Sequence, residues 1–291
     1  MSTLQNTWLN TQVPEGGTQA LRQQIYKGEV YLLAPTQAST SLVDQVNELL
    51  ASTFVDVGGP AHASESMSNS EYFERVGRLR RLIYCDPHYH EAVRDIMRAG
   101  GFDPSQVAFD PARLRVIAHQ GHLNQGAAPV YAIHRDTWYS HPQSLITWWI
   151  PLHDIPATET FVFYPQCFDR PVPNDSEIFD YSNWTKDGPD LKIGWQDIEA
   201  GAKAPYPAYK AGSSFNPGPE QGFSCQKGQN LLFSGSHLHG TLPHAAGYNR
   251  YSLDFRVVHL PDTAHQRGAP KVDNRSQGSS IPDYILPPPQ I

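Results

Sequence analysis

Cysteine is scarce in this chain of 291 residues: Cys85, Cys167 and Cys225 are odd in number, scattered and without CxxC spacing. A disulfide scaffold is therefore not expected, and the pattern fits a reducing, cytoplasmic setting. Long apolar runs are missing as well, none approaching the ~18 residues of a membrane span. The opening stretch MSTLQNTWLNTQVPEGG has no basic start followed by an apolar core, so no secretory signal is expected, and the sequon Asn183-Trp184-Thr185 is expected to be idle. Nor is there a basic surplus. With 22 Lys and Arg against 29 Asp and Glu the net charge is −7, which argues against a nucleic-acid partner. Neither GxSxG nor GxxxxGK[ST] occurs, so the nucleophile elbow and the phosphate loop are absent. These absences leave a soluble protein with a small-molecule partner as the expectation, acting on neither nucleic acid nor membrane.

What the chain does have is aromatic and turn-forming residues. Six Trp, 14 Tyr and 12 Phe accompany 25 Pro and 22 Gly, a composition of many short strands joined by turns around a sizeable core. Up to residue 105 the pattern is mostly helical. GEVYLLAP (28–35) reads as a first strand, and the apolar positions 42, 43, 46, 49 and 50 predict a helix over 39–53. Residues 56–70 are Gly/Ser-rich and read as a loop; helices are predicted over about 70–82 and 88–99, the second opened by Asp86-Pro87 and closed by Gly100-Gly101. Beyond 105 come short β-branched and aromatic runs: ARLRVIAHQG, PVYAIHRD, SLITWWIPLHD, ETFVFYP, and later GQNLLFSGS and RYSLDFRVVHL. The expectation is one α+β, mainly β domain over 1–291: a helical part to 105, core strands in 106–165 and 223–260, an insertion at 166–222 over one mouth, and a Pro-rich surface tail at 261–291.

The motif that carries chemistry is AIHRDTW (132–138). His134-Arg135-Asp136 is the only His-x-Asp or His-x-Glu among thirteen histidines. On an extended backbone, residues i and i+2 share a face, so His134 and Asp136 project together while Arg135 points away. One imidazole and one carboxylate are two corners of a 2-His-1-carboxylate triad, which leaves coordination positions open for substrate and O₂. For the third corner NLLFSGSHLHGTLPH offers His237, His239 and His244; His237 and His239 share a face if the strand continues, so geometry alone does not choose between those two. The following strand NRYSLDFRVV places Arg250, Ser252, Asp254 and Arg256 on one face and Tyr251, Leu253, Phe255 and Val257 on the other, apolar one. An inward arginine needs an anionic partner, and a dicarboxylic co-substrate bound to the metal would be one.

HRD at 134–136, a histidine near 239 and NRYSLDFR after it resemble the Fe(II)/2-oxoglutarate-dependent oxygenases, and most resemble their phytanoyl-CoA hydroxylase-like branch. LITWWIPLHD followed by ETFVFYP fits that branch, and the resemblance covers about residues 110–260. It implies a double-stranded β-helix, a jelly roll or cupin-like fold, with the N-terminal helices packed on the outside. It implies Fe(II), 2-oxoglutarate and O₂ as cofactor and co-substrates, and His134, Asp136 and His239 as catalytic metal ligands. Arg250, eleven residues after His239, would clamp the far carboxylate of 2-oxoglutarate, with Thr241, Trp149 and Ser252 lining that pocket. His237 in place of His239, and Arg256 in place of Arg250, are the open alternatives. Because a carboxylate stands at 136, where halogenating relatives carry a small residue, the resemblance implies a hydroxylase or a related oxidation.

Blander readings stand beside this one. A lone HxD in a histidine-rich chain arises by chance, and His88 and His90 read as surface residues. Arg78, Arg80 and Arg81 in RLRRL read as a solvated helix face, with the grasp of a substrate carboxylate as their functional alternative. Arg78, Trp138 and His119 are taken as substrate-binding candidates. The rival functions are a jelly-roll iron oxygenase that does not use 2-oxoglutarate, with Arg250 paired to Asp254 or another acid, and a non-catalytic jelly-roll binding protein.

Overall fold

The computed structural model describes residues 6–124, 128–187, 206–210, 212 and 215–287. It opens with α1 (Gly17–Ile25), β1 (Tyr31–Leu33), α2 (Gln37–Thr53), the single turn α3 (Ala63–Ser66), α4 (Asn69–Cys85) and α5 (Pro87–Ala99). Local chemistry accounts for the helix ends. Thr36 accepts from the Ser39 N–H while Ser39 accepts from the Thr36 N–H, a reciprocal cap that starts α2. Asp86 accepts from the His88 N–H with Pro87 in the first helical position, and Gly101 at φ +80° turns the chain out of α5.

Residues 56–70, expected as a loop, are instead built from 3₁₀ turns at Val55–Val57 and Pro60–His62, then α3. A distant side chain fixes them. Asn249 donates its backbone N–H to Ala61 O and its Nδ2 to Pro60 O (3.0 Å), and accepts from Ser64 Oγ (2.6 Å).

The strands that follow are β2 (Val107–Phe109), β3 (Arg113–Ile117), β4 (Ile146–Pro151), β5 (Phe161–Phe163), β6 (Asn230–Ser234), β7 (His239–Thr241) and β8 (Arg250–His259). They form two antiparallel sheets. The larger runs β1-β6-β4-β8, with the ten-residue β8 pairing β2 along one half and β3 along the other. The smaller is β5-β7. PVYAIHRD is not the strand it was expected to be. A helical turn, α6 (Ala128–Tyr131), covers its start, His134 makes one antiparallel bridge to His239, and a 3₁₀ turn follows over Asp136–Tyr139. With β7 only three residues long, the partner runs out after one bridge, and the Trp138 N–H turns back to Arg135 O.

One apolar cluster joins α1, α2, α4 and α5 to the larger sheet, and Tyr251, Leu253, Phe255 and Val257 all lie in it, as their alternation predicts. Trp148 on β4 stacks on Phe255 with ring centroids 5.5 Å apart and donates Nε1–H to Asn230 Oδ1. The opposite face of β8 is thereby left for polar work. Of the expected insertion at 166–222, residues 188–205, 211, 213 and 214 lie outside the described residues. The tail is anchored rather than loose: Phe109 and Ile285 exchange backbone hydrogen bonds of 3.2 and 2.8 Å. Among the described residues no helix is long and apolar enough to cross a membrane.

Candidate metal centre

Two histidines separated by more than a hundred residues meet through their backbones. The His134 N–H donates to His239 O at 2.9 Å and the His239 N–H donates to His134 O at 3.0 Å, which brings the rings to 4.5 Å between centroids. Arg135 is extended (φ −114°, ψ 138°), so Asp136 returns to the side of His134. The Arg135 guanidinium goes the other way into a buried nest, pairing with Asp273 at 3.1 Å and donating to the carbonyls of Ser236, Cys167 and Arg170. That anchor holds the turn in place from behind.

The ligand atoms of His134, Asp136 and His239 lie within 4.8 Å of one another, so these three side chains can hold a metal ion. His134 Nε2 is 3.6 Å from Asp136 Oδ1. Each ring is oriented through its other nitrogen: His134 Nδ1 lies 2.8 Å from Ala132 O, and His239 Nδ1 lies 3.0 Å from His237 O. A proton on each Nδ1 satisfies the carbonyl and leaves Nε2 as a lone-pair donor. The second oxygen of Asp136 accepts from Thr147 Oγ1 at 2.5 Å. Electrostatics prepare the same state. Burial works to raise the Asp136 pKa, but the Arg256 guanidinium and the two histidines outweigh it and hold the carboxyl well below its usual range. Burial, then the charge of His134, pushes His239 down to about 4. A neutral imidazole and an ionised carboxylate are the forms that bind a metal.

Among the three histidines left open by the sequence, only His239 joins this cluster. His237 is buried with Nε2 3.0 Å from Gly28 O and its ring against Phe168; His244 Nε2 lies 2.5 Å from Tyr248 O. The triad faces a cavity of about 750 Å³, and Arg250, Ser252, Thr241, Trp149 and His119 line it too. Trp149 donates Nε1–H to Ser252 Oγ at 2.9 Å. Two expected substrate residues do not reach the cavity. Arg78 points to solvent and pairs with Glu74 one helical turn away, and Trp138 is fully buried with its Nε1–H on Asp273. Their neighbours do: Arg80, two residues on from Arg78, and Tyr139 line the cavity, the Tyr139 ring standing edge-on to His134 at 5.5 Å.

The two inward arginines of β8 differ in their company. Arg256 is surrounded by acids, with Asp110 at 3.5 Å, Asp136 at 3.6 Å and Asp254 at 3.7 Å. Arg250 has none: its Nη1 donates to Glu159 O, its Nε has no hydrogen bond, and no carboxylate lies within ion-pair distance among the described residues. Burial pushes its pKa down to about 10. The pairing of Arg250 with Asp254, expected if Arg250 were structural, is not present; Asp254 binds Arg115 at 2.8 Å instead.

Sequence reasoning missed Thr147, whose hydroxyl is the one side-chain oxygen in the run Ile146–Pro151 and lies two residues, hence one face, from Trp149. It also missed Arg115, which the alternation in Arg113-Leu114-Arg115 would have placed on an inward face.

No protein-family model and no curated protein matches the chain. Solved structures overlap with it loosely. EvdO2 from Micromonospora carbonacea var. aurantiaca, complexed with 2-oxoglutarate, is 11% identical with a TM-score of 0.44, over 86% of this chain and 93% of that one. HygX from Streptomyces hygroscopicus with iron bound is 13% identical with a TM-score of 0.40, over 90% and 97%. SnoK, a non-heme alpha-ketoglutarate-dependent carbocyclase from nogalamycin biosynthesis, is 12% identical with a TM-score of 0.41, over 84% of each chain. At this degree of overlap, function has to be read from the side chains themselves.

Proposed function

We propose that this chain is an Fe(II)- and 2-oxoglutarate-dependent dioxygenase that hydroxylates an aliphatic C–H of a small molecule, an amino acid, an acylated derivative or a natural-product intermediate. Its two antiparallel sheets are read as the walls of a double-stranded β-helix in one domain. One observation carries the reading: two imidazoles and a carboxylate converge on a cavity whose wall also holds a buried arginine with no anionic partner among the described residues. Two nitrogens and one oxygen, without thiolate, suit Fe(II) and leave part of its coordination sphere open.

His134, Asp136 and His239 would hold the iron, and Arg250 would bind the distal carboxylate of 2-oxoglutarate, with Thr241, Ser252 and Trp149 along its length. Bound iron supplies O₂ activation, coupled to decarboxylation of 2-oxoglutarate to succinate and CO₂. The protein's own part is positional. Thr147 fixes one carboxylate oxygen of Asp136, so the other is presented to the metal. Arg250 meets a carboxylate at a site already desolvated, where a charge-assisted hydrogen bond is strong. The aromatic walls, Trp149, Phe161 and Phe233 among them, keep the inner end of the cavity free of bulk water.

The test is an aerobic assay of iron-loaded protein with 2-oxoglutarate, scanning small molecules for stimulated succinate release, beside anaerobic 2-oxoglutarate binding. Wild type binds 2-oxoglutarate only with metal present, and Arg250→Leu loses that binding while retaining metal. Metal binding without any 2-oxoglutarate binding would instead favour an iron oxygenase that does not use it.

A further inference from the structure

The proposed chemistry leaves one charged wall of the cavity without a task. Helix α4 sends Tyr72, Val76, Arg80 and Tyr84 into the cavity at four-residue spacing, a single stripe in which Arg80 is the only charge. Strand β3 runs beside it, and the Arg80 Nε–H donates to Leu114 O at 3.1 Å, which lays that guanidinium along the strand. The next residue, Arg115, also lines the cavity. Its Nε donates to Asp254 at 2.8 Å, and neither of its Nη groups makes a hydrogen bond among the described residues. Asp254 is shared with Arg256, so Arg115 holds only part of one counter-charge.

Tyr206 completes the group. Burial drives its phenol up to about 12, while Arg115 and Arg80 both pull the other way, so it sits within the field of both guanidinium groups. The same proximity shows in Arg80, which burial and then the Arg115 charge lower to about 10. Two guanidinium groups thus face one cavity that Tyr206 also lines, and the Arg115 Nη groups carry no hydrogen bond among the described residues. The Arg115 side chain is 39% exposed, so water can reach those donors, and a carboxylate or phosphate entering the cavity would replace that water with a two-pronged, charge-assisted contact.

We propose that Arg115, with Arg80 and the Tyr206 hydroxyl, forms an oxyanion subsite, so that the substrate is a small molecule bearing a carboxylate or phosphate. The inference rests on the oxygenase reading for the word substrate, but the subsite is distinct from Arg250. In the β3–β8 register Arg115 lies opposite Ser252, and Arg250 lies opposite Ile117. The tyrosines of the α4 stripe then face the uncharged body of the ligand, which suits a flat or aromatic skeleton.

The test is equilibrium dialysis of the full-length protein loaded with redox-inert Ni(II) and radiolabelled 2-oxoglutarate, against three probes: 1-naphthylacetate, 1-naphthyl phosphate and the neutral 1-naphthylacetamide. At least one anion should bind about tenfold or more tighter than the amide, consistent with a charge-assisted hydrogen bond. Arg115→Leu should erase that preference, Arg80→Gln should reduce it, and Arg115→Lys should restore much of it, with 2-oxoglutarate retained throughout. Tighter binding of the acetate assigns a carboxylic acid; tighter binding of the phosphate assigns a phosphorylated substrate. Equal binding of all three probes, no binding of either anion, or a preference that survives Arg115→Leu and disappears in Arg250→Leu overturns the subsite. Failure of 2-oxoglutarate to bind, with the anion preference intact, sinks the 2-oxoglutarate-dependent reading alone.

Discussion

Thr147→Val is the sharpest perturbation of the metal centre that leaves its ligands in place. The replacement keeps volume and β-branching on a central strand and removes one hydroxyl, whose hydrogen bond to Asp136 measures 2.5 Å. The acceptor is an ionised carboxylate that is 2% exposed, so no water is at hand to replace the donor. A hydrogen bond to a charged group contributes about 1.5–3 kcal/mol, and loss of an outer partner of a metal ligand weakens metal affinity about 10- to 100-fold. The two ranges agree. The expectation is a rise in the metal dissociation constant of about 10- to 100-fold. Anaerobic competition between the protein and a chromophoric chelator reads it directly, and Thr147→Ser, which keeps the hydroxyl, should remain within about threefold of wild type. If Thr147→Val binds metal as tightly as wild type, the hydroxyl does not orient Asp136 and the account of how the ligand is presented is wrong.

Other consequences follow from the same geometry. A Cβ at Gly240 would lie 2.9 Å from Ile133 Cγ1 and 3.4 Å from Ile133 Cα, so Gly240→Ala should push β7 from the segment carrying His134 and weaken metal binding, read by the same competition. Acid should destabilise the metal-free fold well before carboxylates titrate. Burial lowers His141 to about 4 and His237 to about 3, against about 6.5 for the unfolded chain, so their stabilisation is complete above about 6.5 and lost as pH falls toward 4. Denaturant midpoints should therefore drop between pH 7 and 5, and less steeply in His141→Gln; a flat profile would show that these rings are not kept neutral by burial.

Much of the site was legible because its signals are local. The spacing of His134 and Asp136 needs only an extended Arg135, and the alternation along Arg250–His259 needs only a strand, so both survive whatever the surrounding fold does. The choice of His239 over His237 was not local. It depends on a turn before β7 that sends His237 toward Gly28, more than two hundred residues away in sequence. The same holds for PVYAIHRD, where propensity favours a strand but a three-residue partner permits only one bridge. Arg78 was preferred over Arg80 as a substrate contact because helix phase near a cavity depends on which stripe the sheet covers. That is fixed by packing of Tyr72, Val76, Leu79 and Ile83, not by the charges themselves.

The convergence of three side chains on one metal ion is best tested by anaerobic calorimetric titration of the metal-free protein with Fe(II). Wild type should bind one equivalent and His134→Ala, Asp136→Ala and His239→Ala none at comparable affinity, with His237→Ala binding as wild type does. Full-strength binding by any of the three ligand variants, or none by the wild type, would contradict it.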